Sequence, residues 1–143
     1  DDLDWDEEVL GEMEGGEPND RFSSYWDDDT EMTYPLILAK IPVKNPWEIF
    51  AYLPFGNCND CPDTPELMAA AKYWFQQHGA IPAAMSHDEL EFELPTPISK
   101  ERAMEVAVEQ YGFCPDLDQN EDGSIGSLAD VLWQSTVWYF WWD

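Results

Sequence analysis

The residues of this chain best suited to chemistry are few: two histidines and three cysteines in 143 positions. His87 and Asp88 are neighbours, a general base beside an orienting acid, and Cys61 or Cys114 would supply the nucleophile. Cys58 and Cys61 are spaced as half of a zinc site, which Cys114 with His78 or His87 would complete. A closed site needs four ligands and no second pair of this kind exists, so zinc is not expected as a cofactor. A redox role for the same pair is weaker, because the aspartate between the thiols opposes thiolate formation. No glycine-flanked serine, phosphate loop or paired-histidine metal motif accompanies these residues. The bland alternatives are a His-Asp turn and incidental buried thiols.

Two carboxylate patterns carry further possibilities. In "DQNEDGSI", Asp118, Asn120, Asp122 and Ser124 fall at positions 1, 3, 5 and 7 of a calcium loop, with the turning glycine at Gly123. Position 12 is Ala129, so the bidentate acid is missing, and only a weak Ca²⁺ site is expected beside the simpler reading of a polar loop. Glu89, Glu91 and Glu93 alternate with Leu90, Phe92 and Leu94, which places three carboxylates along one face of a strand at roughly 6.6 Å intervals. That spacing resembles a row of phosphates. A solvated face that discourages edge pairing is the simpler account.

These groups sit in a chain of extreme charge. It holds 31 acidic and 6 basic residues, a net −25. Residues 1–32 contain 14 of the acids and one base, Arg21, so nearly half the excess lies in a quarter of the chain. Such a field repels nucleic acid and anionic membrane surfaces and attracts basic proteins or cations. No run reaches the ~18 apolar residues of a membrane span, and no secretory leader opens the sequence. The odd cysteine count then argues against a disulfide scaffold and for a reducing, cytoplasmic setting.

Positioning falls to the periodic segments. Residues 1–32 lack a sustained period and read as an acidic arm, or the remnant of a longer N-terminal region, docked through anchors such as Trp5, Val9, Leu10, Phe22 and Trp26; Asp27, Asp28 and Asp29 form its densest acidic cluster. Residues 33–143 read as one domain. "PLILAKIPV" and "PWEIFAYLPFG" are apolar runs bounded by prolines and predict strands. "DTPELMAAAKYWFQQHG" predicts a helix with Thr64 as cap, Pro65 in its first turn and Gly79 as stop, burying Leu67, Ala71, Trp74, Phe75 and His78. "AIPAAMS" and "ELEFEL" predict strands with His87-Asp88 at the turn between them. "SKERAMEVAVEQYG" predicts a second helix, its stripe Met104, Ala107, Val108 and Tyr111. "SLADVLWQS" predicts a third, with Ser127 and Asp130 as a capping box. The ending "TVWYFWWD" does not alternate, so it predicts a strand buried on both faces at the centre of the sheet. The expected fold is therefore α+β: a mixed β-sheet with a central C-terminal strand, packed by about three helices.

Four runs resemble a bacterial family, the domain of unknown function numbered 4253: "PWEIFAYLPFGNCNDCPDTPELMAAAKYWF", "GAIPAAMSHDELEFELP", "AMEVAVEQYGFCPD" and "IGSLADVLWQSTVWYFWWD". The resemblance covers about residues 40–143 and implies that the aromatic run is where the family's domain ends. The family tends to carry Gly-Gly-Trp-Asn where this chain has Gly56-Asn57-Cys58-Asn59, while Cys61-Pro62 and Cys114-Pro115 match it. The loop "DLDQNEDGS" is more acidic than the family's. No activity transfers with the resemblance.

Two functional readings result. The favoured one is a non-catalytic acidic interaction module, inhibitor-like or immunity-like, binding a basic protein partner through Glu89, Glu91, Glu93 and Asp27 to Asp29, with no cofactor, no direct nucleic-acid binding and no membrane. The other is an enzyme or small-ligand binder whose aromatic pocket uses His87, Asp88, Cys61 or Cys114.

Overall fold

The computed structural model describes residues 9–56, 58, 60–119 and 123–143. Along the chain come β1 (Trp26–Asp27), β2 (Met32–Thr33), a 3-10 helix (Pro46–Ala51), α1 (Thr64–His78), β3 (Ile81–Met85), β4 (Glu89–Glu93), α2 (Lys100–Phe113), a second 3-10 helix (Pro115–Gln119), α3 (Ile125–Leu132) and β5 (Val137–Trp141). β1 and β2 form a hairpin; β3, β4 and β5 form an antiparallel sheet in that order. The architecture is α+β with three α-helices among the described residues.

Local chemistry accounts for the helix ends. Asp63, one residue before the expected cap, accepts the Glu66 N–H at 3.0 Å, and the Glu66 carboxylate accepts the Asp63 N–H at 2.9 Å. Gly79 ends α1 at φ 73°, a left-handed conformation that glycine adopts without steric cost. In α3 the cap is Ser124 rather than Ser127: its hydroxyl accepts the Ser127 N–H at 3.1 Å. The expected stripe of α2 is turned by a residue or more, for Ala103, Val106, Ala107 and Gln110 are buried and Val108 is exposed. The small residues of that face let α2 pack closely against α3.

Trp74 of α1 is the hub of the core. Its ring lies 5.6 Å from Phe92, 5.1 Å from Phe113, 5.7 Å from Trp138 and 5.4 Å from Phe140. Leu90, Phe92 and Leu94 are buried as the alternation of β4 predicts, and Trp138, Phe140 and Trp142 join them from β5.

Two expectations change. The runs at 35–43 and 46–56 are not strands. Pro46 starts a 3-10 helix whose Glu48 carboxylate accepts the Asn45 N–H at 2.6 Å, so helix-start chemistry overrides the apolar pattern. That helix packs on α1 and β3, and residues 36–43 carry no regular structure. The C-terminal strand belongs to the sheet, but β4 is central and β5 lies at the edge, in a sheet that is antiparallel rather than mixed. Its burial on both sides comes from the N-terminal arm instead of another strand. The Asn19 carbonyl accepts the N–H groups of Thr136 and Val137, both at 3.1 Å, where a neighbouring strand would otherwise pair. The arm approaches α3 so closely that a Cβ on Gly126 would clash with the Glu12 carbonyl oxygen. The Asp130 carboxylate accepts the Gly16 N–H at 2.9 Å and the Trp133 indole N–H at 2.8 Å, a role distinct from the expected cap.

Candidate functional site

His87 and Asp88 lie at the β3–β4 turn, as expected, with His87 Nε2 3.4 Å from Asp88 Oδ2. The His87 side chain is 86% exposed, so nothing encloses a reacting group beside it. Asp88 is occupied with structure. Its carbonyl accepts the Trp142 N–H at 3.1 Å, and its carboxylate takes the Trp141 indole N–H at 3.3 Å and the Ser86 hydroxyl at 3.2 Å. This is turn chemistry, with the Ser86 hydroxyl also accepting the Glu89 N–H.

The cysteines do not converge on this pair. Cys58 and Cys61 are joined in a disulfide with Cα atoms 5.2 Å apart, which corrects the expectation of free thiols and removes both as thiolate ligands in this state. The bridge spans three positions and is a local clip, not a scaffold. Cys114 is fully buried and donates to the Trp141 carbonyl at 3.0 Å; burial pushes its thiol up to about 12. A thiol so raised is a poor nucleophile. His78 is half-buried beside Trp138, and desolvation lowers its pKa, with the Arg102 charge adding to the effect. Among the described residues no three His, Cys, Asp or Glu side chains gather as a metal site. Of the calcium-loop candidates, Asn120 and Asp122 lie outside the described residues, as does the side chain of Asp118. Ser124 caps α3.

The glutamate row divides three ways. Glu93 is exposed. Glu89 accepts the Tyr139 hydroxyl at 2.6 Å and the Ser86 hydroxyl at 3.0 Å, and burial together with this bond raises the Tyr139 pKa. Glu91 is fully buried beneath the arm, where its carboxylate accepts the N–H groups of Ser23, at 3.0 Å, and Ser24, at 2.7 Å. The three carboxylates therefore do not present one continuous face to solvent. Asp28 and Asp29 stand exposed in the β1–β2 connection, and Asp27, partly covered, accepts the Asp29 N–H at 3.0 Å.

From Met32 in the second strand of that hairpin the chain runs on through Tyr34, Leu36, Ile37 and Leu38, and all five are exposed, with Ile37 at 91% and Leu38 at 96%. Exposed apolar side chains are ordinary singly; five within seven residues form a patch. Two cavities among the described residues bear on the candidate site. One, of about 490 Å³, is lined by Cys61, Glu66, Phe113 and Asp116 but by none of His87, Asp88 or Cys114. The other, of about 340 Å³, lies between the arm, α3, the end of α2 and the edge of β5, and includes Gln110, Ser127 and Trp138 but none of the four catalytic candidates. Its signal in the sequence is faint: a glutamine on the apolar side of α2, since a buried polar group is more informative than a buried apolar one.

These features define a small α+β domain built on a three-stranded antiparallel sheet, with no assembled catalytic constellation among its described residues. The chain belongs to the DUF4253 family, a domain of unknown function, whose family model matches residues 37–143. No match is found among curated proteins or among solved structures. Among the described residues no helix is long and apolar enough to cross a membrane.

Proposed function

We propose that this domain is a non-catalytic protein-docking module that engages a basic partner through the acidic β1–β2 hairpin and the adjoining apolar strip. The observation that carries the reading is the exposure of Met32, Tyr34, Leu36, Ile37 and Leu38 directly after the carboxylates of Asp28, Asp29 and Glu31. Residues 36–38 lie in no strand, so their main-chain groups are open to strand addition, their side chains supply contact area, and the carboxylates beside them select for lysine and arginine. Charge supports the same partner. The 31 acidic residues face only 6 basic ones, so a net −25 is left for external cations to neutralise. Nucleic acid, carrying the same sign, is disfavoured.

The catalytic alternative has less behind it. Its nucleophile candidates are a disulfide sulfur and a buried, protonated thiol, and its base is open to water.

Calorimetric titration with a short peptide alternating valine and lysine, and with its valine–glutamate counterpart, tests the proposal. The basic peptide should bind, more weakly as salt rises from about 50 to about 300 mM, and the Ile37→Ser, Leu38→Ser double variant should not bind it. Equal binding of the two peptides, no binding of either, or binding that survives the double variant would overturn the reading.

A further inference from the structure

The Cys58–Cys61 disulfide lies apart from the docking surface, and its place in the fold suits it to something other than holding the chain together. A bridge removes more entropy from the denatured chain the longer the loop it closes, and a separation of three positions closes very little. The segment around it is held by other means. On one side Phe55 is buried with its ring 5.8 Å from that of Trp142; on the other, Asp63 caps α1. Between them the chain turns at Gly56, φ 91°, so tightly that a Cβ there would stand 3.4 Å from the Cys61 Cβ. The Cys61 N–H donates to the Cys58 carbonyl at 3.3 Å. These contacts support the 5.2 Å separation of the two Cα atoms, which lies within the span of a disulfide, whether or not the sulfurs are bonded. Two thiols kept so close re-form their bond readily, which makes its opening reversible.

The pair is also open to a reagent from outside. Cys58 and Cys61 are each partly exposed, whereas Cys114 is fully buried. Cys61 lines the cavity of about 490 Å³ between the start of α1 and the end of α2. Asp60, Glu66 and Asp116 share that lining, and no basic side chain does so among the described residues. An anionic reagent is therefore repelled from the one cysteine the cavity reaches.

We infer that Cys58 and Cys61 form a reversible thiol–disulfide switch, opened from this cavity by dithiols that carry no other negative charge. A thiolate of the dithiol bonds to the Cys61 sulfur as the Cys58–Cys61 bond breaks, and the departing Cys58 thiolate takes up a proton. The second thiol of the reagent then loses its proton and attacks its own sulfur in the mixed disulfide. Cys61 leaves as a thiolate, is protonated, and the reagent departs as a cyclic disulfide. Two electrons have passed to the protein, and an oxidised dithiol reverses every step. The acids that make these cysteines poor attacking thiolates do not bar this role, because here the protein receives the attack.

Iodoacetamide labelling of the folded, oxidised chain, read by mass spectrometry, tests the switch, with Cys114 as an internal reporter of unfolding. Without reductant no label should be taken up. After millimolar dithiothreitol two labels should appear, at Cys58 and Cys61, with the third only in guanidinium; oxidised dithiothreitol should restore the unlabelled state. Label at Cys58 or Cys61 before reduction, none after it, or all three together would overturn the inference, the last because the bridge would then be part of what keeps the domain folded. Cysteamine, which is cationic, and 3-mercaptopropionate, which is anionic, test the charge term at equal thiolate concentration. At about 20 mM salt cysteamine should open the bond at least about tenfold faster, and the gap should close by about 500 mM. Equal rates at low salt, or a gap that salt leaves unchanged, would overturn the selectivity and the part given to the cavity.

Discussion

Two runs of this chain look alike as sequence, "PLILAKIPV" at 35–43 and "TVWYFWW" at 136–142. The first leaves Ile37 and Leu38 almost wholly in water; the second buries Trp138, Phe140 and Trp142 completely. Hydrophobicity is not what separates them. The second run pairs residue by residue with β4, lays three rings against Trp74 and Phe113 or their neighbours, and has its outer edge closed by the Asn19 carbonyl. The first has prolines at 35 and 42, which remove two ladder donors, while the 3-10 helix that follows packs beside β3. Burial follows from available main-chain partners as much as from apolar side chains, because a strand taken out of water must satisfy its N–H and C=O groups.

The comparison breaks most visibly if the second run is removed. Deleting residues 137–143, or replacing Trp138, Phe140 and Trp142 with alanine together, should abolish cooperative thermal unfolding. Each buried aromatic costs about 3–5 kcal/mol when truncated, against about 5–15 kcal/mol for a whole domain. A sharp transition near that of the intact chain would refute a structural role for β5.

A smaller effect should follow from releasing the cover. Glu91→Ala leaves the Ser23 and Ser24 N–H groups without their buried acceptor and should cost about 2–3 kcal/mol in a denaturant melt. Limited proteolysis should then cut within residues 14–26 while β5 remains protected. If the arm stays protected, the carboxylate is not its anchor.

The second anchor of the arm responds to pH. The Trp133 indole and the Gly16 N–H hold the Asp130 carboxyl below its ordinary value. Its contribution to stability is therefore present above the unfolded-state pKa near ~3.9 and is lost as pH falls through the lower folded value. Melting temperature followed from about pH 5 down to about pH 2 should fall less steeply for Asp130→Asn than for the parent chain. Parallel curves would remove Asp130 from the account.

The least effect on stability belongs to the first run. Ile37→Ser with Leu38→Ser should change unfolding free energy by no more than about 0.5 kcal/mol, as exposed substitutions do. The same pair is expected to abolish peptide binding, which makes it the cleanest separation of folding from docking. A loss comparable to that at Glu91 would mean the strip is packed in solution.

Much of the frame is legible in the sequence because local rules act over a few residues. Pro65, Glu66 and Gly79 mark α1, and the strict alternation of Leu90, Phe92 and Leu94 marks the buried face of β4. What local rules leave open is which partner satisfies a given group across the fold. No pattern near Glu91 shows that its carboxylate meets Ser23 and Ser24, 68 and 67 residues away, or that Asp130 serves Gly16 instead of capping its own helix. The same holds for β5. Its apolar run determined that both sides would be covered, but only the tertiary structure decided that one side is α1 and α2 and the other an acidic arm. Gln110 and Trp138 likewise stand 28 positions apart and meet at one cavity, an arrangement that arises when helix, strand and arm pack against each other. Periodicity specifies which face of an element seeks shelter; the identity of what shelters it depends on long-range packing and main-chain hydrogen bonding, which no short stretch of sequence contains.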